Sequence, residues 1–162
     1  MYLEQAKTIK DWQAASKLLL DVMENLNHQH LTLWNESQLT LDGLKKQYKD
    51  NELYLVKNQG TLEGVIFLQE IDPYFWPELT SRDSLFLHKL AIHPKHKGFN
   101  KGTELIRLAE QEATKRGLTW LRLDCDDREP LHNFYQSNNF QLIDIKIINQ
   151  FTAARYSKEI KT

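Results

Sequence analysis

The chain has 162 residues, 41% of them apolar and 27% charged, with a net charge of −1. That fits one globular domain, 1–162, large enough to bury a core, with no overall charge to draw it to nucleic acid or a membrane surface. No run could span a bilayer, the first residues lack an apolar signal core, and the single cysteine, Cys125, excludes an internal disulfide, so a cytoplasmic protein is expected.

Leu3 to Ala6 reads as a short first strand. Residues 9–26 then carry a helical stripe of Trp12, Ala15, Leu19, Val22 and Leu26, with Thr8 as N-cap. Residues 27–39 have no clean period and read as a connecting segment, although two of them, His28 and His30, are metal-ligand types. Without further spaced ligands they are solvated loop histidines, and no metal is expected. Thr40 caps a short helix with Leu41, Leu44 and Tyr48 inside. A hairpin follows, Leu53 to Lys57 and Thr61 to Gln69, around Asn58-Gln59-Gly60. Residues 72–83 form an aromatic loop with Tyr74, Phe75 and Trp76.

Ser84 to Ile92 is an apolar strand, and residues 102–116 a helix that buries Leu105, Ile106, Ala109 and Ala113 and ends at Gly117. Trp120 to Asp124 completes a βαβ unit, so its two strands should be parallel. Pro130 opens a helix that ends near Ser137. Phe140 to Ile147 and Asn149 to Tyr156 close the sheet as the last two strands.

The junction after the apolar strand reads Leu90-Ala91-Ile92-His93-Pro94-Lys95-His96-Lys97-Gly98-Phe99-Asn100-Lys101-Gly102-Thr103. A strand enters a basic, Gly-punctuated turn, and a helix opens directly after it. Successive turn N–H groups and a helix N-terminus can hold a pyrophosphate with backbone alone. Asn100 is the residue type after Gly that best tolerates positive φ, and Lys97 and Lys101 supply charge. The Walker spacing and the dinucleotide fingerprint are both absent.

This segment resembles the acyl-CoA loop of GNAT-type acetyltransferases, Leu-Ala-Val-x-Pro-x-x-Arg-Gly-x-Gly-x-Gly. Ile92 stands at the Val, Lys97 at the Arg or Gln, Asn100 at the central Gly and Gly102 at the last. A second stretch, Leu121 to Phe140, is similar to the family's β5–helix segment, with Phe134, Tyr135 and Phe140 in place. The usual Asn before that helix is missing, and Arg128 falls near its position. The resemblance implies an α/β (α+β) GNAT fold: a mixed sheet of about seven strands, splayed parallel fourth and fifth strands, and about four helices.

By the same resemblance, acetyl-CoA is the co-substrate. Its pantetheine arm would pair with Leu90, Ala91 and Ile92, its phosphates would meet Lys97, Gly98, Phe99, Asn100, Lys101, Gly102 and Thr103, and Arg128 would rebuild the contact to the CoA arm that the missing Asn makes in the family. Tyr135 would protonate the leaving thiolate, a role that suits a phenol neutral at pH 7. For the base, His88 lies in a His-x-Leu-Ala-Ile run like that of arylalkylamine-type members, and strand alternation sets it on one face with Phe86, Leu90 and Ile92. A buried, hydrogen-bonded histidine is the rival reading. Glu70 is the second candidate base, against a plain strand-end carboxylate. Cys125, in an apolar strand, reads as a packed thiol rather than a nucleophile.

The implied reaction is direct acetyl transfer to a small-molecule primary amine. The alternatives are a protein or peptide N-acetyltransferase and a non-catalytic acyl-CoA sensor. Trp34, Tyr74, Phe75 and Trp76 are candidates for the acceptor wall, with core packing or a homodimer contact as their other readings.

Overall fold

The computed structural model describes residues 1–160. Its elements in chain order are β1 (Tyr2–Gln5), α1 (Ile9–His28), α2 (Glu36–Leu39), α3 (Leu41–Gln47), β2 (Leu53–Asn58), β3 (Thr61–Gln69), β4 (Ser84–Ile92), α4 (Lys101–Lys115), β5 (Trp120–Asp126), α5 (Glu129–Ser137), β6 (Gln141–Ile148) and β7 (Phe151–Glu159). The strand order of the seven-stranded sheet is β1-β2-β3-β4-β5-β7-β6, with β4 and β5 parallel. The parallel pair expected from the βαβ reading is therefore present, within the mixed sheet that the resemblance implies. The described residues form two compact units: Met1–Phe67 with Lys89–Leu105, and Leu68–His88 with residues 106–160.

In the first unit Thr8 caps α1 reciprocally with Asp11. The Thr8 hydroxyl accepts from Asp11 N–H at 3.4 Å, and the Asp11 carboxylate accepts from Thr8 N–H at 3.2 Å. The capped helix buries Trp12, Ala15, Leu19 and Val22 against Leu53, Leu55, Val65 and Phe67 of the β2–β3 hairpin. Tyr48 stacks on Phe67 with centroids 4.0 Å apart. Gly64 has no space for a side chain: a Cβ there would lie 2.5 Å from the Ala91 carbonyl oxygen.

Two expectations are corrected in this unit. The 27–39 segment is not wholly irregular, because Glu36–Leu39 forms a single helical turn, α2, which brings the α-helices among the described residues to five. The Gln38 side chain reaches back to the Asn35 N–H at 3.0 Å, and a turn of that length is too short to show a period. In β4, Lys89 takes φ 49 inside the strand, so strict alternation from Phe86 to Ile92 fails at that residue. The Lys89 ammonium donates to Gln47 Oε1 at 2.8 Å and to the Tyr48 hydroxyl at 2.9 Å.

In the second unit, Ser84, Leu85 and Phe86 pair in parallel with Trp120, Leu121 and Arg122. β5 pairs antiparallel with β7, and β7 with β6. Asn149 and Gln150 at φ 47 and 68 form the two-residue β6–β7 turn, so Asn149 does not begin the last strand, as expected from sequence. Arg155 of β7 organises the aromatic loop. Its side chain, 5% exposed, binds both Asp144 oxygens at 2.7 Å and the Phe75 carbonyl at 3.0 Å, and lies 4.5 Å from the centre of the Trp76 ring. No helix among the described residues is long and apolar enough to cross a membrane.

Candidate active site

The loop after β4 belongs to the first unit. His93 caps a 3₁₀ turn at Pro94–His96, its Nδ1 accepting the Lys95 N–H at 3.1 Å. That fixes Nε2, 3.1 Å from Asp21, as the ring's other polar atom. Gly98, Phe99 and Asn100 then take φ 109, 54 and 55, three left-handed residues in succession. The hand changes between Asn100 and helical Lys101, and such a change turns successive N–H groups toward one side, as in backbone anion cups. Gly102 and Thr103 follow in the first turn of α4, where the helix itself has no acceptors for their N–H groups. Phe99 is 95% exposed, so no packing holds it in this conformation.

The charge of this loop differs from expectation. The Lys101 ammonium does not face the loop's open side; it bonds Glu63 Oε2 at 2.8 Å, with His96 Nδ1 3.5 Å from the other oxygen. Burial raises the Glu63 pKa, but hydrogen bonds from Lys101 and Asn58 and the Lys101 charge more than reverse it, leaving this carboxyl below the usual range. Lys101 thus offers the loop its backbone alone, while Lys95 and Lys97 are exposed cations.

The second unit holds the candidate acid–base groups. His88 Nε2 lies 3.5 Å from Asp72 Oδ2, and ligand-type atoms of Asp72, His88 and Asp124 lie within 4.8 Å of one another. Asp72 starts the aromatic loop as a cap: its Oδ1 accepts the Phe75 N–H at 3.0 Å and its carbonyl the Trp76 N–H at 2.9 Å. The Asp72 side chain is 5% exposed, and Oδ2 accepts no hydrogen bond. Burial pushes its carboxyl above the ordinary value, and the Phe75 and Tyr74 N–H groups only partly oppose this. Neither carboxylate was identified from sequence. Asp124 had a usable signal, because extending the Phe86–Arg122 register by two residues sets it beside His88. Asp72 had only an Asp-Pro turn signature.

A carboxyl with a raised folded-state pKa binds its proton more tightly in the native state. Its contribution is therefore favourable below the unfolded value, near 3.9, and is lost as pH rises. Asp72→Asn keeps the oxygen that accepts from Phe75 and removes the ionisation. We expect this variant to melt higher than the wild type at pH 7, with the gain vanishing below about pH 4. Melting temperatures from pH 3 to 8 would check this; an equal offset at all pH values would refute it.

Tyr135 lies on α5 with its ring edge-on to Phe134 and Phe140, at 5.0 and 5.7 Å. Burial, reinforced by the negative charge of Asp124, raises its phenol above the ordinary value. Beside it, Tyr156 of β7 bonds His132 Nδ1, and His132 Nε2 lies 2.7 Å from Asp127. This Asp127–His132–Tyr156 chain has no signature in sequence spacing, because it needs β7 placed against α5. Cys125 is buried and its thiol is pushed up to about 12 by burial and the neighbouring aspartates, so at neutral pH it is a protonated, packed group.

Several other expected residues are already engaged. Glu70 is bound by Arg116 at 3.1 Å, and Arg128 by Asp126 at 2.6 Å. Trp76 is a core residue, not part of an open wall: it is 2% exposed and packs near Phe86 beneath Arg155 and Arg122. Trp34 packs against the core of the first unit. Tyr74 is exposed, with its hydroxyl accepting from Asn149, and Phe75 is half-buried against Phe151. The first unit also has an open groove of about 380 Å³, lined by Leu20, Met23, Glu24, Asn27, His28 and Glu36. His28 thus sits on the wall of this groove, 3.9 Å from Glu24.

Residues 12–140 match the pattern of the acetyltransferase (GNAT) family. The uncharacterised N-acetyltransferase YesJ of Bacillus subtilis (strain 168) is 27% identical over 96 residues, which are 56% of this chain and 53% of that protein. The match spans about half of that relative. Among solved structures, a GNAT-family acetyltransferase from Listeria monocytogenes 4b F2365 superposes with a TM-score of 0.80 at 22% identity, covering 97% of this chain and 93% of that one. Aminoglycoside acetyltransferase AAC(6')-Ib, solved with coenzyme A, gives 0.72 at 13% identity over 98% of this chain and 94% of that one. These structures are similar to this chain in fold.

Proposed function

Because the chain belongs to the GNAT acetyltransferase family, we propose that it transfers an acetyl group from acetyl-CoA directly to a primary amine of a small molecule, in the cytoplasm. The observation that carries this reading is the run of left-handed residues at 98–100 leading into α4, a backbone anion cup where the family holds its donor. Leu90, Ala91 and Ile92 present the strand edge for the pantetheine arm. Gly98, Phe99, Asn100, Lys101, Gly102 and Thr103 serve the pyrophosphate through backbone, and Lys97 through charge.

The amine arrives as an ammonium and must lose a proton before it attacks the thioester carbonyl carbon. His88 takes that proton, with Asp72 and Asp124 beside the ring to stabilise the imidazolium. The new C–N bond forms as the C–S bond breaks, the departing thiolate takes its proton from Tyr135, and the second proton shed by the amide nitrogen passes through solvent to restore the phenol. No bond to the protein forms at any step. The two carboxylates also suit a cationic acceptor, as do Glu24 and Glu36, which line the open groove with Leu20 and Met23.

Acetyl-CoA should raise the melting temperature. At a hundredfold excess over its dissociation constant the stabilisation is about 2.7 kcal/mol, or roughly 5–10 °C for a chain of this size. Gly98→Val should abolish the shift without unfolding the protein: its Cβ would meet open space, but valine resists φ 109. No shift at millimolar acetyl-CoA would refute the donor site. Release of CoA with an amine panel then tests transfer: turnover on peptides alone would make the chain a protein acetyltransferase, and binding without turnover a sensor.

A further inference from the structure

Acid–base chemistry at His88 leaves one atom beside it without a role. Asp72 Oδ2 is buried, accepts no hydrogen bond, and lies 3.5 Å from His88 Nε2. The other oxygen, Oδ1, is held by the Phe75 N–H, so the carboxylate cannot turn away without breaking its own cap. A buried carboxylate oxygen with no donor is costly unless a cation meets it. We propose that Asp72, His88 and Asp124 bind a zinc ion, and that the ion blocks acetyl transfer by occupying His88.

Zinc takes carboxylate oxygen and imidazole nitrogen at about 2.0–2.2 Å, so neighbouring corners of its tetrahedron lie about 3.3–3.6 Å apart. The 3.5 Å between Asp72 Oδ2 and His88 Nε2 is one such edge, and it is too long for a good hydrogen bond. An Asp124 oxygen lies within 4.8 Å of both atoms, and rotation of this partly exposed side chain closes the triangle. One imidazole with two carboxylates favours zinc over calcium and magnesium, which take oxygen ligands. Three protein ligands leave the fourth corner to water, and partly exposed His88 and Asp124 give the ion a way in. The other contacts between histidine and carboxylate in the two units suit a metal less. His93–Asp21 and His96–Glu63 each carry a lysine, Lys17 at 3.5 Å from Asp21 and Lys101 at 2.8 Å from Glu63. His132 has both ring nitrogens engaged, by Asp127 and Tyr156.

The block rests on His88 as the base of the proposed transfer. Zinc on Nε2 takes the lone pair with which that nitrogen would accept the ammonium proton, and its charge repels the ammonium from the two carboxylates. The reaction itself uses no metal, and no ligand of the trio belongs to the donor loop, so acetyl-CoA should still bind.

Zinc added to the chelator-treated full chain should bind one to one and raise the melting temperature, with the affinity read by competition against a chromophoric chelator. Cobalt in its place should show the intense visible bands of a four-coordinate ion. Asp72→Asn keeps the oxygen that accepts from Phe75, and it and His88→Gln should each weaken zinc binding by at least about 100-fold, beyond the 10–100-fold loss expected for an outer-shell partner. His93→Gln should bind zinc like the wild type. With an amine that turns over, saturating zinc should abolish formation of the acetylated product, measured directly, and leave the acetyl-CoA-induced stabilisation in place. No saturable one-to-one binding, equal affinity in Asp72→Asn and His88→Gln, or turnover that persists in the zinc-loaded protein would overturn the proposal. A chain that binds zinc through this trio but acetylates no amine would sink the transferase reading and leave the site standing.

Discussion

Replacing Tyr135 by phenylalanine should lower kcat by about 10²- to 10³-fold, the range expected for loss of a general acid. The KM for acetyl-CoA should stay within about twofold, because the phosphates and the pantetheine arm are assigned to other residues. Phenylalanine keeps the ring that meets Phe134, Phe140 and Tyr156, so the fold should be preserved. Burial holds the wild-type phenol above its ordinary value, so it remains a donor throughout the neutral range. The expected pattern is therefore a loss in kcat without a loss of acetyl-CoA-induced stabilisation. A variant that retains a third of wild-type kcat would remove Tyr135 from the mechanism.

Arg155→Ala should destabilise the second unit by about 3 kcal/mol. Removing one member of a buried ion pair costs roughly 3–5 kcal/mol, and the lower end applies because Asp144 and Glu78 are half-exposed and can rehydrate. The variant also loses the donor to the Phe75 carbonyl and the cation above Trp76, whose buried Nε1 makes no hydrogen bond. At this chain length the loss amounts to a fall of roughly 6–12 °C in Tm. Arg155→Lys should recover little, since an ammonium cannot bind both Asp144 oxygens in a fork. The pH dependence gives a second readout. Hydrogen bonding to Arg155 is the main reason the Asp144 carboxyl lies below its ordinary value. Glu78 lies below it too: burial raises it, but a hydrogen bond from its own backbone N–H and then the Arg155 hydrogen bond and charge more than reverse this. Their stabilisation is present above the unfolded value and is lost as pH falls through the folded one. The wild type should therefore lose more stability than Arg155→Ala between pH 5 and 3. A Tm within 2 °C of wild type at neutral pH would mean that the aromatic loop does not depend on Arg155.

Much of the fold was legible because its signals are local. The Trp12–Val22 stripe behind Thr8, the β2–β3 hairpin and the βαβ unit each rest on spacing within one segment. The loop at 98–100 was legible for the same reason, since Gly98 and Asn100 declare a left-handed backbone. What was missed depends on partners distant in sequence. Lys101 has the composition of a phosphate ligand, yet Glu63 on β3 claims its charge. For Trp76 the sequence left an acceptor wall, core packing and a homodimer contact open, and the choice of core rests on Arg155 on β7 and Arg122 on β5, which cover it. The left-handed backbone at Lys89 interrupts a period of two that the apolar pattern alone suggests. Asp72 reaches His88 only because the intervening loop folds back on its own Asx cap, and no periodicity encodes that.

The protonated, packed state of Cys125 has a practical consequence. The thiolate is the species that reacts with disulfide and alkylating reagents, and a thiol pushed up to about 12 presents almost none of it at neutral pH. Cys125 is also the chain's sole cysteine. Every equivalent of colour released from an aromatic disulfide indicator in a reaction mixture therefore reports coenzyme A and not the protein. A cysteine introduced anywhere on the surface becomes the single labelling position for a fluorophore or spin probe, with no need to mutate the native one first.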